Sequence, residues 1–215
     1  MPIEHTVQQG EHLARIAARY GFTEFQPIWD DPANADLKVK RQNPHVLFPG
    51  DIVRVPDKTL REEARATEAR HKFRKLGKPL MLRIEVRNPA NEPVKNALCH
   101  LTIDGKIYPL TTNARGRIEQ SIPAPAETGR LALKDLAQPL AFDVEVKIGH
   151  LDPVTERSGQ QGRLNNLGYD GGLSSEPADP QFKSAVEEFQ CDDGLAVDGI
   201  CGPQTQAKLK EVHGC

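Results

Sequence analysis

The spacing of apolar residues changes twice along this 215-residue chain, and that switch limits the folds open to it. Leu13, Ile16, Ala17 and Tyr20 recur at i, i+3, i+4 and i+7, one face of a helix. From Leu82 the period drops to two: Leu82, Ile84 and Val86, then Cys99, Leu101 and Ile103, then Phe142, Val144, Val146 and Ile148 alternate with polar residues. That is the pattern of half-buried antiparallel strands. Helical spacing returns at Phe182, Ala185, Val186 and Phe189. A period that switches twice reads as a mosaic of small modules, a multi-domain α+β chain, and 5% aromatic content with a single Trp suits modest cores.

Turn residues divide the segments. The first opens on a strand at His5-Thr6-Val7, turns at Gly10 and stops its first helix at Gly21. Helical stretches follow at Gln26 to Trp29 and Asn34 to Arg41, and Pro49-Gly50 leads into a last strand, Asp51 to Val55. Residues 1–57 thus predict a strand-helix-helix-strand unit. Residues 58–71 are charged and read as a linker, with Leu60 to Ala66 able to make a helical turn or two. In residues 72–152 the turn signals Asn88-Pro89-Ala90-Asn91, Asp104-Gly105 and Asn113-Ala114-Arg115-Gly116 separate the alternating runs and predict an antiparallel β-sandwich. Residues 158–215 predict three helices: one stopped at Gly168, one capped by Asp179 with Pro180 behind it, and one opened by Pro203 and bearing Thr205, Leu209 and Val212.

The formal net charge of -2 argues against nucleic acid as a partner, because that affinity needs many phosphate-neutralising cations. The charge is uneven: Lys58 to Arg87 holds ten Lys or Arg against four Asp or Glu, and Ser158 to Cys215 holds four against nine. Glu4, His5, Glu11, His12, Arg15 and Arg19 interrupt the first twenty residues, so no Sec signal is expected, and no apolar run is long enough to span a membrane. The expectation is synthesis in the cytoplasm and action in the periplasm or wall after non-Sec delivery.

The order His5-Thr6-Val7, Gly10-Glu11, Leu13, Ile16-Ala17, Arg19-Tyr20-Gly21, Asn43-Pro44, Leu47, Pro49-Gly50 and Val53-Arg54-Val55-Pro56 resembles a LysM module over residues 3–57. The stretch Trp29 to Leu37 lengthens its middle. The resemblance implies a groove for N-acetylglucosamine-containing glycans formed by Gly10, Glu11, His12 and Leu13 with Leu47, Phe48, Pro49 and Gly50. The competing reading makes Leu13 and Leu47 core residues and the glycines turn residues only. The run Pro93-Val94 to Gly105, followed by Thr111 to Ile118, resembles Ig-like or transthyretin-like spacer domains.

The order Leu164-Asn165-Asn166-Leu167-Gly168-Tyr169, Phe182, Ala185-Val186, Phe189-Gln190, Gly194-Leu195, Asp198-Gly199-Ile200, Gly202 and Thr205 resembles the helical peptidoglycan-binding domain attached to wall hydrolases. Its first internal repeat departs from the pattern, with Ser174-Ser175-Glu176-Pro177-Ala178-Asp179-Pro180 in place of an Asp-Gly turn. The resemblance points to Gln190, Asp198, Gly199 and Thr205 either as wall contacts or as the residues that shape the loop.

Cys191, Cys201 and Cys215 crowd the last segment. They suit a disulfide between two of them or free thiols; a zinc site with His213 would lack a Cys-x-x-Cys knuckle, and no metal or other cofactor is expected. Val212-His213-Gly214-Cys215 is superficially similar to a transpeptidase thiol motif, but a cysteine there has no cleft or orienting scaffold around it in the sequence. The functional expectation is a non-enzymatic peptidoglycan-binding adaptor, two wall-binding modules separated by a spacer. The alternative is an accessory protein of a type VI secretion or contractile injection system, partnered by spike or effector proteins. A wall hydrolase is the third class.

Overall fold

In the computed structural model, which describes residues 2–58, 64–72, 80–134, 141–174, 176 and 179–215, strands β1 (Ile3–Thr6) and β2 (Ile52–Val55) pair antiparallel. Their register sets Ile3 against Val55 and His5 against Val53. Between them lie α1 (Leu13–Arg19), α2 (Gln26–Trp29), a 3-10 turn (Pro32–Asn34) and α3 (Ala35–Arg41). Leu13, Ile16 and Ala17 are buried, as their spacing predicts.

The lengthened middle is folded into this group rather than looped out of it. Asp31 caps the 3-10 turn by accepting from the Ala33 N–H at 2.8 Å. Asn34, 2% exposed, then donates from Nδ2 to the carbonyls of Ile28 and Arg54, while its Oδ1 accepts from the Arg54 N–H at 2.8 Å. A buried amide with donors and acceptor all satisfied fixes the insertion to β2. A buried ion pair does the same for α3, where Arg41 Nε donates to Asp51 Oδ2 at 2.6 Å.

The middle of the chain forms β3 (Leu80–Glu85), β4 (Leu98–Ile103), β5 (Lys106–Thr111), β6 (Arg117–Ile122), β7 (Thr128–Lys134) and β8 (Ala141–Lys147). β3 pairs with β6, and β5-β4-β7-β8 form a four-stranded sheet; every pairing is antiparallel. Both sheets feed one apolar core, which includes Val86, Cys99, Leu101, Ile103, Ile118, Ile122, Leu131 and Leu133. The predicted turns are formed: Asp104 and Gly105 both take positive φ, 49° and 76°, the geometry that matches the twist of a tight hairpin. Asn113 accepts from the Gly116 N–H at 2.9 Å.

Helices α4 (Arg157–Leu167), α5 (Pro180–Asp192) and α6 (Pro203–His213) close the chain. Gly168, at φ 97°, ends α4, and Asp179 caps α5 through the Gln181 N–H at 3.1 Å. Phe182, Ala185, Val186 and Phe189 are buried with Leu164 and Leu209 in one core. Thr205 and Leu209 of α6 are buried, and Val212 is exposed. The chain divides into two compact units, one of Met1–His45 with Gly50–Gly149, the other of Val46–Pro49 with His150–Cys215. The helical turn expected at Leu60 to Ala66 falls partly outside the described residues, where Ala64, Arg65 and Ala66 are exposed and nonhelical. Among the described residues no helix is long and apolar enough to cross a membrane.

Candidate functional site

Gln190 follows Phe189 at the end of the apolar face of α5 and is 1% exposed. A polar side chain so buried must find partners, and this one organises a loop. Its Oε1 accepts from the N–H groups of Asp198 and Gly199, both at 3.0 Å. Its Nε2 is shared among Asp198 Oδ1 at 2.8 Å, Thr205 Oγ1 at 3.0 Å and the Ile200 carbonyl at 3.1 Å. Asp198 also accepts from the Ile200 N–H, and the Gln190 amide leads the contacts that hold its carboxyl below the usual carboxylate range. Gly199 stands at φ 69°, a conformation that favours glycine, and a Cβ there would crowd the Lys183 side chain, 2.7 Å from Cγ.

The structure therefore brings Gln190, Asp198, Gly199 and Thr205 together, as the frame of a loop. What the loop presents to solvent is Val197 and Ile200, 56% and 65% exposed.

A second framed loop was not singled out in the sequence. Gln161, buried on α4, donates from Nε2 to the carbonyls of Gly171 at 3.2 Å and Ser174 at 2.7 Å. Asn165 accepts from the Gly171 N–H and donates to the Gly172 carbonyl. Leu173, between them, is 94% exposed. The available signal was the presence of Gln161 and Asn165 one helical turn apart ahead of Asp170-Gly171-Gly172. Ser175, Pro177 and Ala178 of this stretch lie outside the described residues.

Arg163, on α4, is 1% exposed and spends its guanidinium on carbonyl oxygens of Asp152, Gly159 and Cys215 at 2.7 to 2.8 Å. Beside it Cys215 Sγ lies 3.2 Å from His213 Nδ1, and His213 Nε2 lies 3.1 Å from Asn166 Nδ2. Among the described residues this thiol, imidazole and amide are the one arrangement that resembles a nucleophilic site. Burial, however, pushes the Cys215 thiol up against the pull of Arg163, and burial followed by the Arg163 charge takes His213 down to about 4. Both groups are thereby held neutral, the opposite of an activated thiolate.

In the structure all four cysteines stand as free thiols. Cys201 precedes α6 and Cys215 follows it; eleven helical residues separate them by roughly 16 Å, far beyond the ~7 Å Cα separation a disulfide allows. Cys191 is exposed on the last turn of α5, whereas Cys201 packs against the core. Among the described residues no group of three His, Cys, Asp or Glu is placed to hold a metal ion.

In the amino-terminal segment Gly10, Glu11, His12 and Leu13 are buried, as is Leu47; Phe48 and Pro49 are half-buried and Gly50 is exposed. Glu11 is an internal tie: it accepts from His5 Nε2 at 2.8 Å, the Gln8 N–H at 2.9 Å and Arg19 at 3.1 Å. Burial raises its pKa, but the hydrogen bonds from Gln8 and His5 and the nearby positive charges outweigh this and hold it low. His12 caps α1 through Nδ1, which accepts from the Arg15 N–H at 3.4 Å. A Cβ on Gly149 would meet His12 Cδ2 and the Gly10 carbonyl, both at 2.8 Å, so the β-rich segment packs directly on this turn. Leu13 and Leu47 stand as the competing core reading has them.

Comparison with curated proteins and with solved structures gives no match. Residues 159–209, running from α4 through most of α6 and containing both framed loops, match the family model of the peptidoglycan binding domain, which supports a cell-wall binding role with peptidoglycan as the partner.

Proposed function

We propose that the chain is a non-enzymatic adaptor that binds peptidoglycan through two modules, a LysM-like one at residues 1–57 and the helical one at 158–215. A β-sandwich at 72–152, reached through the charged linker 58–71, acts as the spacer. The observation that carries the reading is the family match at 159–209, laid over two loops whose buried frames hold apolar side chains in solvent. In the amino-terminal module the strand-helix-strand order supports the resemblance, and the exposure of Gly50 with part of Phe48 and Pro49 leaves that loop as its glycan contact. Two modest sites on one chain raise avidity through effective concentration.

The adaptor reading has no catalytic step, in keeping with the neutral Cys215 and His213. Its site of action is the wall or periplasm, and N-acetylglucosamine-containing fragments are the ligands of the first module. Co-sedimentation of the folded full chain with purified peptidoglycan tests it. Binding without a fall in the turbidity of the wall suspension is the expected result; a folded protein that stays in the supernatant would sink the proposal.

A further inference from the structure

Two loops of the helical unit are built alike, although their motifs differ. In each, a buried glutamine one helix back holds carbonyl oxygens of the loop: Gln161 those of Gly171 and Ser174, Gln190 that of Ile200. Each loop then carries a glycine at positive φ, 66° at Gly172 and 69° at Gly199, followed directly by an aliphatic side chain in solvent. Each feeds a helix that opens on proline, Pro180 or Pro203. An aliphatic residue held in water by a fixed hydrogen-bond frame contributes nothing to the core, and covering it is favourable.

Both loops border one stripe of α5. Its cap Asp179, Lys183 and Glu187 recur every four residues and share a face. A Cβ on Gly172 would meet Gln181 Oε1 at 2.9 Å and Asp179 Oδ2 at 3.4 Å; one on Gly199 would meet Lys183 Cγ at 2.7 Å and Glu187 Oε1 at 2.9 Å. Leu173 therefore stands by the first turn of α5 and Ile200 one to two turns further on, ~6–12 Å along the axis. Against the second loop Lys183 and Glu187 form an exposed pair at 3.6 Å.

We propose that this stripe, with Leu173 and Ile200 at its flanks, binds the stem peptide of peptidoglycan rather than its glycan; the inference rests on the wall-binding reading above. Stem peptides carry methyl side chains, free carboxylates and amino groups. Leu173 and Ile200 suit the methyls, and Lys183 and Glu187 suit the charges. Sugar rings are covered best by flat aromatic faces, and the aromatic rings of this unit are used internally. Phe182 and Phe189 are core residues, and Tyr169 packs edge-on against Phe189 while donating to Asp192 at 3.0 Å.

The test uses the full chain, intact peptidoglycan and a soluble stem tetrapeptide. The expected result is that the wild type sediments with peptidoglycan and that the tetrapeptide shifts the methyl NMR signals of Leu173 and Ile200. Leu173→Ser combined with Ile200→Ser, with an unchanged circular dichroism spectrum, should weaken tetrapeptide binding at least tenfold. If the wild type sediments but these methyls do not shift, or the double variant binds the tetrapeptide as tightly as wild type, the stem-peptide assignment is overturned while wall binding stands. A wild-type chain that does not sediment overturns both.

Discussion

Gln190 and Asp198 hold each other in a reciprocal pair: Gln190 Nε2 donates to Asp198 Oδ1 at 2.8 Å, and the Asp198 N–H donates to Gln190 Oε1 at 3.0 Å. The pair converts the ten-residue connection between α5 and α6 into a fixed edge of the helical unit. Gln190→Ala removes the acceptor of two loop N–H groups and the donor to three oxygens, all within one buried side chain. A loss of about 1–3 kcal/mol is expected, the range for leaving a buried polar group unpaired. Urea denaturation followed by far-ultraviolet circular dichroism at the helical minimum reports it; a midpoint equal to wild type would show that water replaces the amide.

Gln190 also shows how far the sequence could be read. The spacing of Phe182, Ala185, Val186 and Phe189 announces the helix, and Asp104-Gly105 announces its hairpin, because those signals act within a few residues. The partners of Gln161 could not be found that way: Asp170-Gly171 stands in its loop, but Gln161 holds the carbonyls of Gly171 and Ser174, ten and thirteen residues on, beyond the reach of a local turn signal. The burial of Gly10 and His12 was illegible for a different reason: Gly149, which packs on them, lies more than a hundred residues downstream. Long-range cover leaves no local periodicity.

The two glycines inside α4 should respond oppositely to alanine. A Cβ on Gly159 would fall 2.0 Å from the Pro153 carbonyl and 2.5 Å from that of Asp152, both backbone atoms that cannot turn aside. Gly159→Ala is expected to cost about 3 kcal/mol or more, as overpacking against rigid structure does. At Gly162 the new methyl meets only Leu151 Cδ1, at 3.3 Å. There the gain in helix propensity, about 1 kcal/mol, should leave the unit as stable or more so. Thermal melts of the two variants decide the matter, and equal melting temperatures would refute the close approach at Gly159.

The free thiols should react in an order set by burial. Cys191 is exposed, whereas Cys99 is fully buried with its thiol pushed up by that burial. Burial carries Cys201 to about 11 against the pull of Arg157 and Arg163, and raises Cys215 in the same way. At pH 7.5 one thiol per native chain is expected to react quickly with a disulfide reagent, and four after denaturation. Mass mapping should place the fast label on Cys191. Fast labelling of Cys215 would instead mean that His213 takes its proton, and would reopen the case for a nucleophile.

His12 gives the first unit an acid-sensitive element. Its pKa falls from 6.5 to about 4, first because of burial and then because of the neighbouring charges of His45 and Arg15. The unfolded chain therefore binds a proton between pH 6.5 and 4 that the folded chain does not. Stability is fully present above pH 6.5 and declines as pH falls toward 4, by about 3 kcal/mol for this group alone. His45 and His213 are also lowered by burial, so their slopes have the same sign. His12→Asn keeps a side-chain acceptor at the cap of α1, where asparagine is favoured, and removes the titration. Denaturation midpoints measured from pH 7.5 to 4.5 should flatten in the variant while the loss due to the other two histidines persists. A slope identical to wild type would show that His12 is already protonated, or already hydrated, in the folded chain.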